Sequence, residues 1–243
     1  GGPTGVELAG ALAEMKKAIL PKDYPDLDVR KMEINLIQSG DRILNTMSEN
    51  ASEKAEKFLL DLGVSVWKNV RVTGYDGKTV TTNSDLSFDS ATVILTAGVQ
   101  GALPHGLKAD SFIKNVNRIK VNQYNQVEGY EHLFAIGDIA VMSSEKFPQG
   151  HPMMAQPAMQ QGRLLADNLI KIINKKEPKP FEYKDKGSMA TIGRNKAVVD
   201  LPKFKFSGVF AWFVWMFVHL FSLIGFKNKA VVFLNWVYNY IRF

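Results

Sequence analysis

Near the start of the chain, Gly2-Pro3-Thr4-Gly5 is followed by small and apolar residues at helical spacing: Val6, Ala9, Gly10 and Ala13. Glycines at a helix entry leave main-chain N–H groups uncovered, and the helix dipole there favours negative charge, so a phosphate or pyrophosphate fits such a turn. Gly2 and Gly5 read as the last two glycines of G-x-G-x-x-G, a dinucleotide-binding turn whose first glycine would precede Gly1. Taken alone, the turn could equally cap a helix in any α/β domain. Gln38 closes an apolar run, Met32 to Ile37, where dinucleotide folds often place an acid on the adenosine ribose. An amide can hydrogen-bond the ribose hydroxyls but repels a 2′-phosphate less than a carboxylate does, which predicts a modest preference for NADH over NADPH. A second glycine, Gly137, is followed by Asp138 at the end of Leu133 to Ile136 and offers a carboxylate to a sugar-like hydroxyl; a plain strand-to-loop turn is the alternative. Ala155-Gln156-Pro157-Ala158-Met159-Gln160-Gln161-Gly162 opens a helix with a cluster of amides that could face a ligand or solvent. Glu7, just inside the first helix, could simply complement its dipole.

Composition narrows the chemistry. With no cysteine, disulfides, thiolate metal sites and cysteine nucleophiles are excluded within these 243 residues. The four histidines, His105, His132, His151 and His219, show no H-x-x-x-H spacing, and no metal site is expected. The net charge of +6 is unevenly placed: residues 1–170 carry 17 Lys/Arg against 20 Asp/Glu, whereas residues 171–243 carry 13 against 4. A basic stretch feeding an aromatic, apolar tail suggests an anionic membrane surface rather than nucleic acid.

Several elements must position these residues. The glycine turn opens a helix that Tyr24-Pro25-Asp26 ends, and Met32 to Gln38 reads as the second strand of a βαβ unit. Ser48 to Leu62 is amphipathic, with Ser48 or Asn50 as its cap. Short strands are expected over Val64 to Val72 and Thr79 to Thr82, joined by the turn at Tyr75 to Lys78, and an apolar strand over Ala91 to Gly98. Ile119 to Val121 and Leu133 to Ile136 follow as strands. Pro152 to Ile173 reads as one long helix once past Pro157, and a strand-like stretch over Phe181 to Leu201 turns at Gly193 to Lys196. The strand that should precede the glycine turn is missing, so the sequence is expected to be a piece of a longer chain. It stops at Tyr240 to Phe243 without a polar tail, so its C-terminus is expected to be cut as well.

Together these segments resemble the C-terminal part of a type II NADH:quinone oxidoreductase, the single-subunit NADH dehydrogenase that does not pump protons. Gly137-Asp138 resembles the second flavin fingerprint of two-dinucleotide-fold flavoproteins, in which the aspartate contacts the ribityl chain of FAD. The A-Q-x-A-x-Q-Q-G start resembles the family's helix beside the flavin ring and quinone pocket. Thr96-Ala97-Gly98-Val99, Lys186 to Gly193 and the aromatic tail from Gly208 also resemble family segments. The resemblance implies an α/β flavoprotein with Rossmann-like FAD and NAD domains, truncated at the N-terminus, and a helical membrane-attaching tail. The expected division is an NAD(H)-binding domain over 1–103, the later part of an FAD domain over 104–178, and a membrane-attachment region over 179–243.

The implied activity is hydride transfer from NADH to FAD and then two electrons to a quinone, with this piece expected to be inactive by itself. The implied cofactor-binding residues are Gly2, Gly5, Gln38, Ala97, Gly98, Gly137, Asp138, Ala155 and Gln156, and the quinone-binding residues Gln156 and Gln160. The resemblance places Glu7 near nicotinamide and quinone with Lys186 as a proton-relay partner, although Glu7 could be only a dipole-complementing acid and Lys186 a plain surface lysine. Phe206 to Phe226 carries no formal charge and is long enough to span a bilayer. Its Trp and Phe content, and the resemblance, favour helices lying on the cytoplasmic or matrix face of a respiratory membrane instead. Subunit pairing into a homodimer is left open. Two rival readings remain at this level: a soluble pyridine-nucleotide disulfide reductase-like flavoprotein, and a membrane-surface module without redox activity.

Overall fold

The computed structural model describes residues 1–242. In chain order the first elements are α1 (Pro3–Glu14), a π-helical turn (Met15–Ile19), α2 (Leu20–Asp23), β1 (Asn35–Ile37), α3 (Glu49–Asp61) and β2 (Ser65–Trp67). A meander of β3 (Val72–Tyr75), β4 (Thr79–Thr82) and β5 (Ser87–Asp89) follows, then β6 (Phe112–Ile113), β7 (Arg118–Lys120), β8 (Ala140–Val141) and α4 (Ala155–Ile173). The chain continues through β9 (Ser188–Gly193), β10 (Lys196–Asp200), β11 (Lys205–Ser207), α5 (Val209–Ser222) and α6 (Phe226–Arg242). These form two compact units, one of residues 1–97 with 187–242 and one of residues 98–186. The chain passes between them at Gly98 and Gly187, whose φ values of +92° and +91° suit glycine.

In the first unit, Pro3 opens α1 where its missing N–H costs nothing, and the extended Gly2 caps it. Pro21 lacks the N–H that would continue the helix, and the ladder ahead of it shifts, with the Leu20 N–H reaching the Met15 carbonyl across a π turn. β1 and β2 pair in parallel, Asn35 with Ser65 through Ile37 with Trp67, with α3 as the crossover. One core joins Val6, Ala9 and Ala13 of α1, Leu36, and Ala51, Ala55 and Leu59 of α3 to Ala190, Ile192 and Val198 of the C-terminal sheet. That sheet is antiparallel in the order β11-β10-β9. Its pleat divides its side chains: Ala190, Ile192 and Val198 enter this core, while Met189, Ala197 and Val199 pack with Ala211, Trp212 and Trp215 of α5 on the opposite face.

The uncharged stretch 206–226 is divided between β11 and α5, and the chain turns at Leu223 to Gly225 (Gly225 φ +84°) into α6. Among the described residues no helix is long and apolar enough to cross a membrane. The second aromatic segment is α6 as far as Arg242; its last residue, 243, lies outside the described residues. Ile224 and Phe226 at the turn are 89% and 87% exposed, and Phe210, Phe217, Phe221 and Leu234 are also exposed.

In the second unit, β7 pairs antiparallel with β6 and parallel with β8 over a core of Ile119, Val121, Val127, Ala135, Ala140 and Met142. α4 begins at Ala155, two residues before Pro157, where the proline's missing donor again falls in the first turn. Two expected strands differ. Residues 91–97 join no ladder among the described residues, and Leu95 is 83% exposed. Leu133 to Ile136 makes only an isolated bridge, Gln126 with Phe134, before a 3-10 turn over Gly137–Ile139.

Candidate functional site

The glycine turn and the strand end lie side by side in the first unit. A Cβ at Gly1 would meet Gln38 Oε1 at 2.6 Å, so the amide rests on a residue where only glycine fits. Gln38 is held by its main chain, with its N–H donating to Trp67 O at 2.8 Å and its carbonyl accepting from Val70 N–H at 3.0 Å. The Leu44 N–H donates to Gly1 O at 2.8 Å. No atom lies within 4 Å of a Cβ built on Gly2, whereas one on Gly5 would meet Thr96 Oγ1 at 2.8 Å. Gly5 is therefore required by packing and Gly2 is not. Ala97 and Gly98, just beyond Thr96, are exposed.

Further along α1, three residues at helical spacing meet the outer edge of β9. A Cβ at Gly10 would overlap the Ile192 carbonyl oxygen. On either side of this contact, the Thr191 N–H donates to Glu7 Oε1 at 3.3 Å and the Arg194 N–H to Glu14 Oε1 at 2.5 Å. Two carboxylates thus cover the edge strand that glycine allows α1 to approach. Burial raises the pKa of Glu7 above the ordinary glutamate value, opposed by the Thr191 hydrogen bond and by His219 of α5.

The second unit holds the remaining expected residues. Gly137 has φ +74°, and its N–H donates at 2.7 Å to Oε1 of Gln161, which is 2% exposed. Asp138 is exposed. Arg118, buried beneath the turn, donates from Nη2 to the carbonyls of Ala140 at 2.6 Å and His151 at 3.2 Å. Burial lowers the Arg118 pKa, and Asp138 opposes that shift. Ala155 is exposed at the start of α4, whose N-cap, Met154, gives no side-chain cap. The amides of α4 bind main chain: Gln156 Oε1 accepts from Lys186 N–H at 3.2 Å, and Gln160 accepts from Lys184 N–H at 3.0 Å and donates to Lys184 O at 2.9 Å. Asn168 repeats the two-bond clamp on Lys179, at 2.8 Å each way. The Lys186 side chain is exposed in this unit, and Glu7 belongs to the other.

Sequence reasoning missed Gln161, Asn168, Gly10 and Glu14 as positioning residues. Spacing carried a signal in each case: Glu7, Gly10 and Glu14 are three and four residues apart, and Gln156, Gln160 and Asn168 four and eight. Beside Arg118, His151 is enclosed by the rings of Phe147, Phe181 and Tyr183, at centroid distances of 4.7, 5.2 and 5.5 Å. Desolvation and the Arg118 charge both lower its pKa.

Comparison with known proteins gives a consistent picture. The family model described as pyridine nucleotide-disulphide oxidoreductase matches residues 1–162, and that of the NDH2 C-terminal domain matches residues 186–242. The chain is 32% identical over 250 residues to the type II NADH:quinone oxidoreductase Ndh of Mycobacterium tuberculosis, covering 99% of this chain and 53% of that protein. It is 28% identical over 268 residues to the mitochondrial internal alternative NAD(P)H-ubiquinone oxidoreductase A1 of Arabidopsis thaliana, covering 99% and 50%. The structure of NDH2 from Plasmodium falciparum in complex with NADH shares the fold, with a TM-score of 0.86 at 19% identity over 97% of this chain and 63% of that one. The chain spans about half the length of the curated relatives it matches.

Proposed function

The chain belongs to the pyridine nucleotide-disulphide oxidoreductase family and carries an NDH2 C-terminal domain, and from that premise we propose that it supplies the NADH-binding and quinone-facing parts of a type II NADH:quinone oxidoreductase. The observation that carries the proposal is the placement of Gln38 against Gly1, beside the Gly2–Gly5 turn. It supports the reading because an amide able to bond ribose hydroxyls lies beside a helix-entry turn suited to a pyrophosphate, at the end of a parallel strand. In this reading Gly2 and Gly5 hold the pyrophosphate of NADH and Gln38 its adenosine ribose, while Ala97 and Gly98 offer a surface without bulky side chains.

The donor set of the second unit suits FAD. Asp138 would accept hydrogen bonds from ribityl hydroxyls, and the start of α4 at Ala155 and Gln156, which has no side-chain cap, would favour negative charge on the flavin edge. FAD, when bound, supplies the hydride acceptor and the electron donor to quinone. Gln156 and Gln160 offer amides to a quinone carbonyl without adding charge. Glu7 and Lys186 handle protons: burial makes Glu7 hold a proton more readily than an exposed glutamate would.

The hairpin of α5 and α6 lies on a lipid surface without crossing it. Its helices have 14 and 17 residues, or about 21 and 26 Å at 1.5 Å per residue, short of a hydrocarbon core of about 30 Å. Lys227, Lys229 and Arg242, with no acid after Asp200, suit anionic headgroups on the cytoplasmic or matrix side. NADH titrated into the protein and followed calorimetrically tests the nucleotide site, and oxidation of NADH by the flavin-loaded complete protein with a water-soluble quinone tests the reaction. Binding without quinone-dependent turnover would reduce the proposal to a nucleotide-binding domain, and absence of both would overturn it.

A further inference from the structure

The end of α1 remote from the glycine turn opens onto a pocket of about 360 Å³ in the first unit. That is at the lower end of the range of about 300–1,000 Å³ usual for small-molecule sites. Ala13, Val29 and Leu62 give it apolar walls, and Lys16, Lys17 and Arg30 give it charge. The apolar walls are fixed: Ala13 is 2% exposed and belongs to the core, against which Leu62 packs. Lys16 lies in the π turn that follows α1, and its Nζ donates to the Met32 carbonyl at 2.5 Å. An ammonium has three donors, so two of its N–H groups are left for another acceptor. Lys17 is exposed. Arg30 is already matched, with Nε and Nη2 on the Asp28 carboxylate at 2.7 and 3.1 Å. Among the described residues no acid lines the pocket, and neither lysine enters an ion pair. Lysines at a helix end complement its dipole, but that does not account for the apolar cavity beside them.

We propose that this pocket binds a small phosphate monoester with an apolar or aromatic body, at a site separate from the Gly2–Gly5 turn. The phosphate meets Lys16 and Lys17, and the body lies on Ala13, Val29 and Leu62. Charge selects the class. With Arg30 neutralised by Asp28, the two lysines leave two positive charges, and a phosphate monoester carries about −1.5 to −2 at pH 7. A carboxylate or a phosphodiester matches only one of them. A bare ion leaves the apolar walls in water, whereas an apolar body covers them. The 12 residues of α1, at about 1.5 Å each, put about 18 Å between the pocket and the glycine turn. One phosphate cannot occupy both, and the pocket does not depend on how Gln38 or the amides of α4 are read.

Phenyl phosphate titrated into the full chain in neutral detergent tests the site, with the methyl resonances of Ala13, Val29 and Leu62 as the readout. Inorganic phosphate supplies the charge without the body, and benzyl alcohol the body without the charge, all at one ionic strength. Phenyl phosphate should shift the three methyls saturably and at a lower midpoint than either control. Lys17→Gln, at an exposed position, should raise that midpoint several-fold, and Lys17→Glu should raise it further. Lys16→Gln should do the same; if it fails to fold because the Met32 contact is lost, the Lys17 variants decide alone. An equal midpoint for inorganic phosphate would show that the lysines bind any anion and that the pocket plays no part. An equal midpoint for benzyl alcohol, an unmoved midpoint in the Lys17 variants, or displacement of the probe by NADH would overturn the site as well.

Discussion

Glu7 accepts a hydrogen bond from the Thr191 N–H, joining the helix that starts at the glycine turn to the open edge of the C-terminal sheet. The same carboxylate is pushed toward its neutral form by burial. A glutamate whose folded pKa is raised stabilises the fold fully below its unfolded pKa, and that contribution is lost as pH rises through the folded value. Glu7→Gln keeps an oxygen for the Thr191 N–H and removes the buried charge. The variant should therefore melt at a higher temperature than the unmodified protein at pH 7 and at the same temperature near about pH 4. Calorimetric melting at both values checks it; a lower Tm at pH 7 would show that the charge itself is needed.

Gly10 and Gly2 separate packing from ligand binding. Gly10→Ala drives a methyl group into the Ile192 carbonyl, and because backbone must move the cost should reach or exceed the usual overpacking range of about 1–3 kcal/mol. Gly2→Ala meets open space at φ −73°, so its stability should stay within about 0.5 kcal/mol of the original. Its NADH affinity should nevertheless fall, since the new methyl occupies the approach to the backbone N–H groups. Denaturant melts and NADH titrations of the two variants should thus rank them in opposite ways.

Gln38 gives a cofactor prediction. The unmodified complete enzyme should prefer NADH to NADPH modestly, and Gln38→Glu should widen the preference by about tenfold. A carboxylate there repels the 2′-phosphate, and tenfold corresponds to about 1.4 kcal/mol. The ratio of kcat/KM for the two cofactors measures it. A preference for NADPH in the unmodified enzyme would remove Gln38 from the ribose site.

Local patterns made much of this legible. Gly-Pro-Thr-Gly, the apolar run into Gln38 and the long helix ending at Ile173 all report on neighbours within a few residues, and each occurs as an element, although the strand is confined to Asn35–Ile37 and the helix starts at Ala155, ahead of Pro157. Residues 91–97 failed as a strand because a strand exists only through a ladder partner, which no local pattern supplies. The uncharged stretch 206–226 suggested one span, yet hydropathy does not register that Leu223 to Gly225 turns the chain, with Gly225 at positive φ. The amide cluster misled differently. Glutamines read as ligand groups also bind the main chain of residues 24 and 30 positions later, and sequence distance hides that pairing.

His151 makes the second unit sensitive to acid. Desolvation and Arg118 lower its pKa, so the unfolded chain takes up a proton that the folded one refuses. Stability is full above the unfolded value of about 6.5 and falls as pH drops toward the folded value. His151→Phe should flatten that loss, because a phenyl ring keeps the contacts with Phe147, Phe181 and Tyr183 and cannot be protonated. Urea melts between pH 7 and pH 5 should show a smaller decline for the variant. An equal decline would place the acid-sensitive group elsewhere.

Gln160 decides between two uses of one amide. Both of its ends are committed to the Lys184 main chain, so Gln160→Ala should release that segment and cost about 1–3 kcal/mol for two exposed hydrogen bonds at about 0.5–1.5 kcal/mol each. Gln160→Glu retains the acceptor for the Lys184 N–H and loses the donor, so it should cost about half as much. If the amide also orients quinone, both variants of the complete enzyme should be reduced by NADH at the original rate but reoxidised by quinone several-fold more slowly. If it only clamps the chain, raising stability with an osmolyte should restore the quinone step in both. Stopped-flow measurement of the two half-reactions, with and without osmolyte, distinguishes the outcomes. A slowed NADH step with an unchanged quinone step would assign Gln160 to the nicotinamide side.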